Sequence, residues 1–223
     1  MLGLLYDIHG NLPALEAVLA DAEREGVDRW LLGGDYSAHC PWPLETLTLL
    51  RSLPTSAWIR GNNERWLREP PLDRPDVVEV IEASDSGLGS EEGWQYSLQA
   101  QIELDGVLYV HGSPLSDVDS FAPRPEEGEE RMLVGTRDTT VVFGHSHQQF
   151  RRPGPNGTEL LNPGSVGMPL DGDVRAAWAV RLDGGAFEFR RTKYDTERAA
   201  AAWRALASPW SEQAAARIER GSD

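Results

Sequence analysis

The chain has 223 residues, of which 40% are hydrophobic and 26% charged, a composition typical of a folded domain with an apolar core. Its formal net charge of -15 disfavours nucleic-acid partners and anionic membranes, because both are bound by clustered Lys and Arg. The single cysteine, Cys40, excludes an internal disulfide, and no run of about 18 apolar residues would span a bilayer. Residues 1–7 lack the basic n-region and the long apolar stretch of a signal peptide. We therefore expect a cytoplasmic protein with no membrane association.

The first third of the chain alternates buried strands with amphipathic helices. Strands are predicted at 2–6, at 29–35 and at the start of 55–64, with helices between Asn11 and Gly26 and over 43–53. Asn11 is a suitable N-cap and Gly26 a suitable C-cap. A strand–helix–strand–helix–strand series predicts a largely parallel sheet with helices on its faces, and therefore an α/β fold.

The rest of the chain contains hairpins and one long loop. We predict a helix at 75–83, a hairpin over 99–112 around Asp105-Gly106, a strand at 139–147, a turn at Asn156-Gly157, a hairpin around 183–185, and a helical tail from Asp195 that Pro209 interrupts. Residues 113–130 are rich in proline and acidic residues, and long loops of this kind often form lids or binding loops. The pattern predicts a single domain over 1–223.

Potential metal ligands follow the apolar strands. They are Asp7, His9, Asp35, Asn62, His111, His145 and His147. The carboxyl ends of strands in an open α/β sheet converge on one edge, so these side chains are expected to lie together. One such histidine would more often be an ordinary core residue, but seven coincidences of position are difficult to explain by packing.

The mixture of donors indicates the kind of metal. Two carboxylates, four imidazoles and one amide oxygen suit first-row transition metals better than Mg²⁺ or Ca²⁺. Seven ligands are too many for one tetrahedral ion and fit two ions bridged by one carboxylate, which together can activate water and neutralise charge on a phosphoryl group. We expect manganese first, with iron, zinc, nickel or cobalt as alternatives.

The motifs around these residues resemble those of a known family. "DIHGN", "GGD", "RGNNE", "HGS" and "GHSH" resemble, in the same order, the motif set of the calcineurin-like metallophosphoesterases, and "NPGSVG" is similar to a loop of their small single-domain prokaryotic branch. The resemblance covers residues 3 to about 194. It implies a four-layer α/β/β/α sandwich of two mixed sheets flanked by helices, with the metal site at the strand carboxyl ends.

The resemblance also implies a division of the ligands. Asp7, His9 and His147 would hold the first metal, and Asp35 would bridge the two ions. The second metal would be held by three further side chains, Asn62, His111 and His145.

One motif departs from the family. Where the family has "GNHD" or "GNHE", this sequence has "GNNE", so Asn63 stands in place of a histidine that commonly protonates the leaving group. An amide can donate a hydrogen bond but cannot deliver a proton at neutral pH. His39 is an alternative for phosphate contact or proton delivery, against the simpler interpretation of an ordinary loop histidine. Arg60 either reaches the phosphate or pairs with Glu64 or Asp35.

Several functions compatible with the motifs remain. The first is a two-metal phosphoesterase acting on a small phosphodiester, because the missing acid favours leaving groups that depart unaided. The alternatives are a phosphatase of monoesters, phosphoproteins or nucleoside polyphosphates, and a metal-bearing protein-binding scaffold. A DNA nuclease is disfavoured by the acidic composition. The Ala-rich tail and an exposed hairpin leave room for a homodimer.

Overall fold

Two five-stranded sheets form the centre of the protein. The computed structural model describes residues 1–83 and 86–223. The strands are β1 (Leu2–Leu5), β2 (Arg29–Leu32), β3 (Thr55–Trp58), β4 (Gln101–Leu104), β5 (Val107–Val110), β6 (Thr140–Val142), β7 (Phe150–Pro153), β8 (Glu159–Asn162), β9 (Ala176–Arg181) and β10 (Phe187–Thr192). The strand order is β10-β9-β1-β2-β3 in the first sheet and β4-β5-β6-β8-β7 in the second.

Seven α-helices lie in the described residues. They are α1 (Leu12–Glu25), α2 (Pro43–Arg51), α3 (Asn62–Trp66), α4 (Pro75–Ala83), α5 (Glu91–Tyr96), α6 (Thr196–Ala205) and α7 (Ser211–Arg220), with 3₁₀ helices at Glu129–Leu133 and Pro155–Gly157. Residues 1–83 and 86–223 contain no helix that is both long and apolar enough to cross a membrane.

Both sheets are mixed. The crossovers through α1 and α2 make β1, β2 and β3 parallel, with Leu5 opposite Leu32, whereas β9 runs antiparallel to β1. In the second sheet β5, β6 and β8 are parallel and the outer strands β4 and β7 are antiparallel. The parallel series expected from the sequence is confirmed, and the hairpin of β9 and β10 extends it into a mixed sheet.

Apolar side chains between the layers hold the sandwich together. Leu4 and Leu31 of the first sheet are fully buried against Tyr109 and Val142 of the second, in one continuous cluster. Helix α1 covers the outer face of the first sheet, because Leu15 and Val18 lie in the same cluster as side chains of β1 and β2. The outer face of the second sheet packs against residues of the 121–133 segment, which includes the 3₁₀ helix at Glu129–Leu133. The predicted α/β fold of two mixed sheets flanked by helices is confirmed.

Local sequence signals explain the element ends. The Asn11 side chain accepts a hydrogen bond from the Ala14 N–H at the start of α1, and Gly26 ends that helix with a φ of 80°. The predicted turns at Asp105-Gly106 and Asn156-Gly157 are confirmed, with positive φ at all four residues. The short helices α3 and α5 were not predicted, because five or six residues are too few to display a helical period.

Candidate metal centre

The seven predicted ligands converge at one edge of the two sheets. Donor atoms of Asp7, His9 and His147 lie within 4.8 Å of one another, and so do those of Asp35, His111 and His145. The Asn62 Oδ1 atom belongs with the second group, because it lies 3.0 Å from His111 Nε2 and 2.8 Å from His145 Nδ1. The convergence follows from topology, since each residue comes just after a strand or at the turn that follows it.

Asp35 lies between the two groups. Its Oδ2 atom is 3.8 Å from His9 Nε2, in the first group, and its Oδ1 atom is 3.5 Å from His111 Nε2, in the second. Asp7 is placed in a similar way, with Oδ1 3.5 Å from His147 Nε2 and 3.7 Å from His111 Nε2. Both carboxylates are therefore in contact with both sets of imidazoles.

The polar atoms of the site fit a divalent cation. Asp7 Oδ1 is buried and has no hydrogen-bond partner among the described residues, although an unpartnered carboxylate oxygen is costly to bury. The Nε2 atoms of His9 and His147 face each other at 3.0 Å. A cation between these atoms satisfies all three with the oxygen and nitrogen donors that first-row metals accept.

Backbone carbonyls orient two of the histidines. His111 Nδ1 donates to the Gly33 carbonyl at 2.8 Å, and His147 Nδ1 donates to the Met168 carbonyl at 2.7 Å. With the proton on Nδ1, the Nε2 lone pair of each ring points into the centre. Such contacts fix the tautomer and the ring orientation of metal-binding histidines.

The loop 162–168 holds several of the candidate ligands in place through hydrogen bonds. The sequence analysis did not predict this role. Ser165 Oγ donates to the Asp7 carbonyl at 2.7 Å and accepts from the Met168 N–H at 2.7 Å. Asn162 Nδ2 donates to the Gly144 carbonyl, next to His145. The only sequence signal was the "NPGSVG" motif. It does not reveal that Ser165 contacts Asp7, which lies 158 positions earlier in the chain.

Burial and the nearby carboxylates shift the pKa values of the histidines in opposite directions. Burial lowers the pKa of His9 and of His145 to about 4. Burial opposes protonation of His111 as well, but the carboxylates of Asp35 and Asp7 outweigh it and raise the pKa of His111 to about 10. Without a metal the carboxylates therefore draw positive charge into the centre, a role that a bound cation would take over from the protonated imidazole.

Glu64 holds the turns that carry Asp35 and Asn62. Its buried carboxylate accepts from the backbone N–H groups of Asp35, Tyr36 and Gly61, each at 2.8 Å. Burial, followed by the nearby charge of Asp35, raises the pKa of Glu64 to about 7. Gly61 has no room for a side chain, since a Cβ atom there would lie 2.2 Å from Asp35 Oδ1.

Asn63 lies beside the first group of ligands. Its backbone N–H donates to Asp35 Oδ1 at 2.9 Å, and its Nδ2 atom is 3.3 Å from His9 Nδ1. Asn62 Nδ2 in turn donates to Asn63 Oδ1 at 3.0 Å. The residue that replaces the family histidine is therefore part of the network around the centre.

Arg60 and His39, the other two predicted catalytic residues, are outside both groups of donor atoms in the described residues. The expected pairing of Arg60 with Glu64 or Asp35 is wrong: its Nη1 atom donates to the Tyr96 carbonyl at 2.9 Å, and the guanidinium lies 5.1 Å from the centre of the Tyr96 ring. The chain leaves β3 with Arg60 facing α5, so the arginine ties that helix to the sheet. His39 is half-buried and belongs to neither group of donor atoms in the described residues.

The segment 113–130 is fixed to the body of the protein at three points. Arg65 of α3 makes two hydrogen bonds to Asp117, at 2.6 and 2.8 Å. Phe121 is buried against the second sheet, and Glu129 forms a buried ion pair with Arg152 of β7. Opening of this segment as a lid stays a prediction, and any such motion would break these contacts.

Two mixed sheets with buried carboxylates and imidazoles at their strand ends define a metal-dependent hydrolase of the α/β class. The chain belongs to the calcineurin-like phosphoesterase superfamily, whose domain matches residues 1–184. It is accordingly a metal-dependent phosphoric ester hydrolase, as the motifs implied.

Relatives span almost the whole chain. An uncharacterized protein of Methanocaldococcus jannaschii is 25% identical over 226 residues, which cover 89% of this chain and 90% of that protein. A metallophosphoesterase from Sphaerobacter thermophilus is 25% identical with a TM-score of 0.74, covering 99% of this chain and 98% of the other. A hypothetical protein from Pyrococcus horikoshii shares the fold, with a TM-score of 0.78 at 20% identity and full coverage of both chains.

Proposed function

We propose that this protein hydrolyses phosphodiesters with two bound metal ions. Asp7, His9 and His147 would hold the first ion, and Asn62, His111 and His145 the second. The Asp35 carboxylate would lie between the two ions. The observation that carries this proposal is that the two oxygens of Asp35 face different groups of donors, at 3.8 and 3.5 Å from the nearest imidazole nitrogens.

The donor set favours a first-row transition metal, because imidazole nitrogens outnumber carboxylates. We expect manganese to support activity best, with iron, zinc, nickel or cobalt as alternatives. Ions of this kind, when bound as a pair, lower the pKa of water and stabilise charge on phosphoryl oxygens.

The residues around the ligands limit the substrates. Asn63 is the polar side chain next to His9, and an amide can hydrogen-bond a phosphoryl oxygen but cannot protonate a departing alkoxide. The leaving group must therefore depart as a stable anion, or another group must supply a proton. His39 is the alternative acid, and phosphodiesters with acidic leaving groups are the expected substrates.

The test is to remove all metal with a chelator, restore Mn²⁺, and compare the turnover of bis-p-nitrophenyl phosphate with that of p-nitrophenyl phosphate. We expect activity to depend on Mn²⁺ and to favour the diester. Asp35→Asn should lower kcat by about 100-fold or more, since it weakens both ions at once. Asp76→Asn, at an exposed carboxylate on α4, is the matched control and should retain full activity.

Two results would contradict the proposal. Turnover without metal, or full activity of Asp35→Asn, would remove the two-metal mechanism. Preference for the monoester would overturn the diester assignment and make His39→Gln the next variant to measure.

A further inference from the structure

A cavity shares one residue with the metal centre. This cavity, called the side pocket here, has a volume of about 500 Å³ and lies between α3, the start of β4 and the loop that follows β5. His111 belongs both to its wall and to the second group of metal ligands. Because a single residue, His111, separates the side pocket from the second group of ligands, a substituent on a phosphoryl group held there would be within reach of the pocket, whose size is in the range of small-molecule sites.

The walls of the side pocket are preformed. The loop on one side is closed by a hydrogen bond from the Ser113 N–H to the Ser116 carbonyl, at 2.7 Å. Ser116 Oγ then accepts from the N–H groups of Val118 and Asp119, at 3.2 and 3.0 Å. Together with the two hydrogen bonds between Arg65 and Asp117, these contacts hold the pocket open before a ligand arrives, which lowers the entropic cost of binding.

The chemistry of the walls selects an uncharged group. Of the described residues that line the pocket, Arg65 and Asp117 carry opposite charges and neutralise each other in their paired contact. Apolar surface remains at Leu115 and Val118, whose exposed fractions are 62% and 40%. Hydroxyl and amide groups are provided by Ser113, Ser116 and Gln101.

A second anionic group would be poorly placed in this pocket. It would meet the Asp117 carboxylate, and the Arg65 guanidinium that lines the pocket is already paired with that carboxylate. The net charge of -15 adds a general repulsion of polyanions. Polyphosphate chains and acidic phosphopeptides are disfavoured for this reason, while a neutral organic group meets apolar surface with hydrogen-bonding groups beside it.

We propose that the side pocket binds the uncharged organic substituent of a phosphodiester, such as a nucleoside, and thereby determines the preference for diesters. The inference rests on the proposed function for its catalytic readout. Leu115 and Val118 would contact the apolar body of that substituent, and Gln101 and the two serines its polar edge.

The test uses three substrates with the same leaving group. They are p-nitrophenyl phosphate, ethyl p-nitrophenyl phosphate and the p-nitrophenyl ester of thymidine 5′-monophosphate, all measured with the Mn²⁺-loaded protein. We expect kcat/KM for the thymidine ester to exceed that for the ethyl ester by about tenfold, the effect of roughly one well-buried apolar contact. Leu115→Asn should raise KM for the thymidine ester about tenfold more than it raises KM for the ethyl ester.

The control is Leu72→Asn, which makes the same change at an exposed leucine that lies in another groove, beside α4. This variant should not change kcat/KM for any of the three substrates. Equal turnover of the ethyl and thymidine esters, or an equal loss of both in Leu115→Asn, would overturn the side-pocket assignment while leaving the metal mechanism intact.

A binding measurement separates the two proposals. Thymidine, which is uncharged, is titrated into the protein after a chelator has removed all metal, and NMR follows the methyl signals of Leu115 and Val118. Saturable shifts that Leu115→Asn weakens about fivefold or more would support the pocket even if no ester is hydrolysed. We expect a Kd for thymidine below about 10 mM, so the absence of shifts at concentrations up to that value would overturn the assignment.

Discussion

Five of the seven candidate ligands hold their backbone in the left-handed region. The φ angles are 52° at Asp7, 47° at His9, 55° at Asp35, 62° at His145 and 57° at His147. This conformation costs of order 1–3 kcal/mol for a residue with a side chain and persists only where surrounding contacts impose it. Here the Ile8 and His9 N–H groups both donate to the Asp35 carbonyl at 2.9 Å, which locks the first turn to the second.

At the residue scale, Asn63→His should extend the range of leaving groups. The new imidazole would stand beside His9, where it can protonate a departing alkoxide, and general acid catalysis is typically worth about 10²–10⁴-fold. We expect kcat for phenyl phosphate to rise by about tenfold or more, with little change for p-nitrophenyl phosphate, whose leaving group needs no proton.

The ratio of the two rates is the quantity to measure, because it cancels any change in metal occupancy. An unchanged ratio in Asn63→His would mean that the side chain at this position does not reach the leaving group. Asn63→Gln, which keeps the amide, is the control and should leave the ratio as it is.

At the element scale, the loop 162–168 joins two strand ends that are far apart in sequence. Its backbone pairs with the end of β1, through hydrogen bonds from the Val166 and Gly167 N–H groups to the Tyr6 and Asp7 carbonyls. Asn11 Nδ2 also donates to the Gly167 carbonyl at 2.7 Å, so α1 is tied to the same loop. The loop therefore sets the position of Asp7 relative to His147.

Ser165→Ala should weaken both the fold and the metal site. It removes the hydroxyl that accepts from the buried Met168 N–H, which loses its partner, whereas the Asp7 carbonyl keeps the hydrogen bond from the Gly167 N–H; we expect a cost of about 1–3 kcal/mol of unfolding free energy. Because the Met168 carbonyl holds His147, we also expect about tenfold weaker Mn²⁺ binding.

Urea unfolding of the metal-free, chelator-treated protein measures the loss of stability. Calorimetric titration with Mn²⁺ measures the loss of metal affinity. Ser52→Ala is the control, since its hydroxyl makes an exposed bond to the Leu49 carbonyl and its loss should cost little. Equal stability and equal metal affinity for the two variants would show that the loop does not position the ligands.

At the scale of the whole molecule, the two sheets bury tyrosines as well as aliphatic side chains. Tyr109 lies between the sheets, and Tyr194 packs beside α1 and α6. Burial disfavours the phenolate and raises the pKa of each of these two tyrosines from 10.0 to about 12. The folded state therefore retains protons that the unfolded chain has already lost at high pH.

The stability of the protein should fall between pH 10 and about pH 12. A group whose folded pKa is raised contributes its full stabilisation below the unfolded value of 10.0, and that stabilisation is lost as pH rises towards about 12. Each of the two tyrosines accounts for about 3 kcal/mol, taking 1.36 kcal/mol for each pKa unit.

Thermal unfolding followed by circular dichroism across this window measures the loss, and ultraviolet absorbance of tyrosinate reports the titration. Tyr109→Phe should remove close to half of the pH dependence contributed by the pair. Unfolding midpoints that stay constant from pH 10 to pH 12 would contradict the prediction.

Much of the fold was predictable because its signals are local. The caps of α1, the turn at Asp105-Gly106 and the break between α6 and α7 each depend on a few neighbouring residues. The short helices α3 and α5 lack enough residues to show a period, and the 3₁₀ helix at Glu129–Leu133 lies in a segment that reads as loop. The direction of the Arg60 side chain depends on α5, an element that was not anticipated.

The sequence by itself determined most of the strands, the order of the potential ligands along the chain and the kinds of donor they offer, because these follow from short-range patterns of residue type. Only the tertiary structure decided which oxygen of Asp35 faces which imidazole, that Ser165 supports Asp7, and that the side pocket opens beside His111. Such contacts join residues from 26 to 158 positions apart. Their geometry depends on how two sheets dock, and no local pattern of residues encodes that.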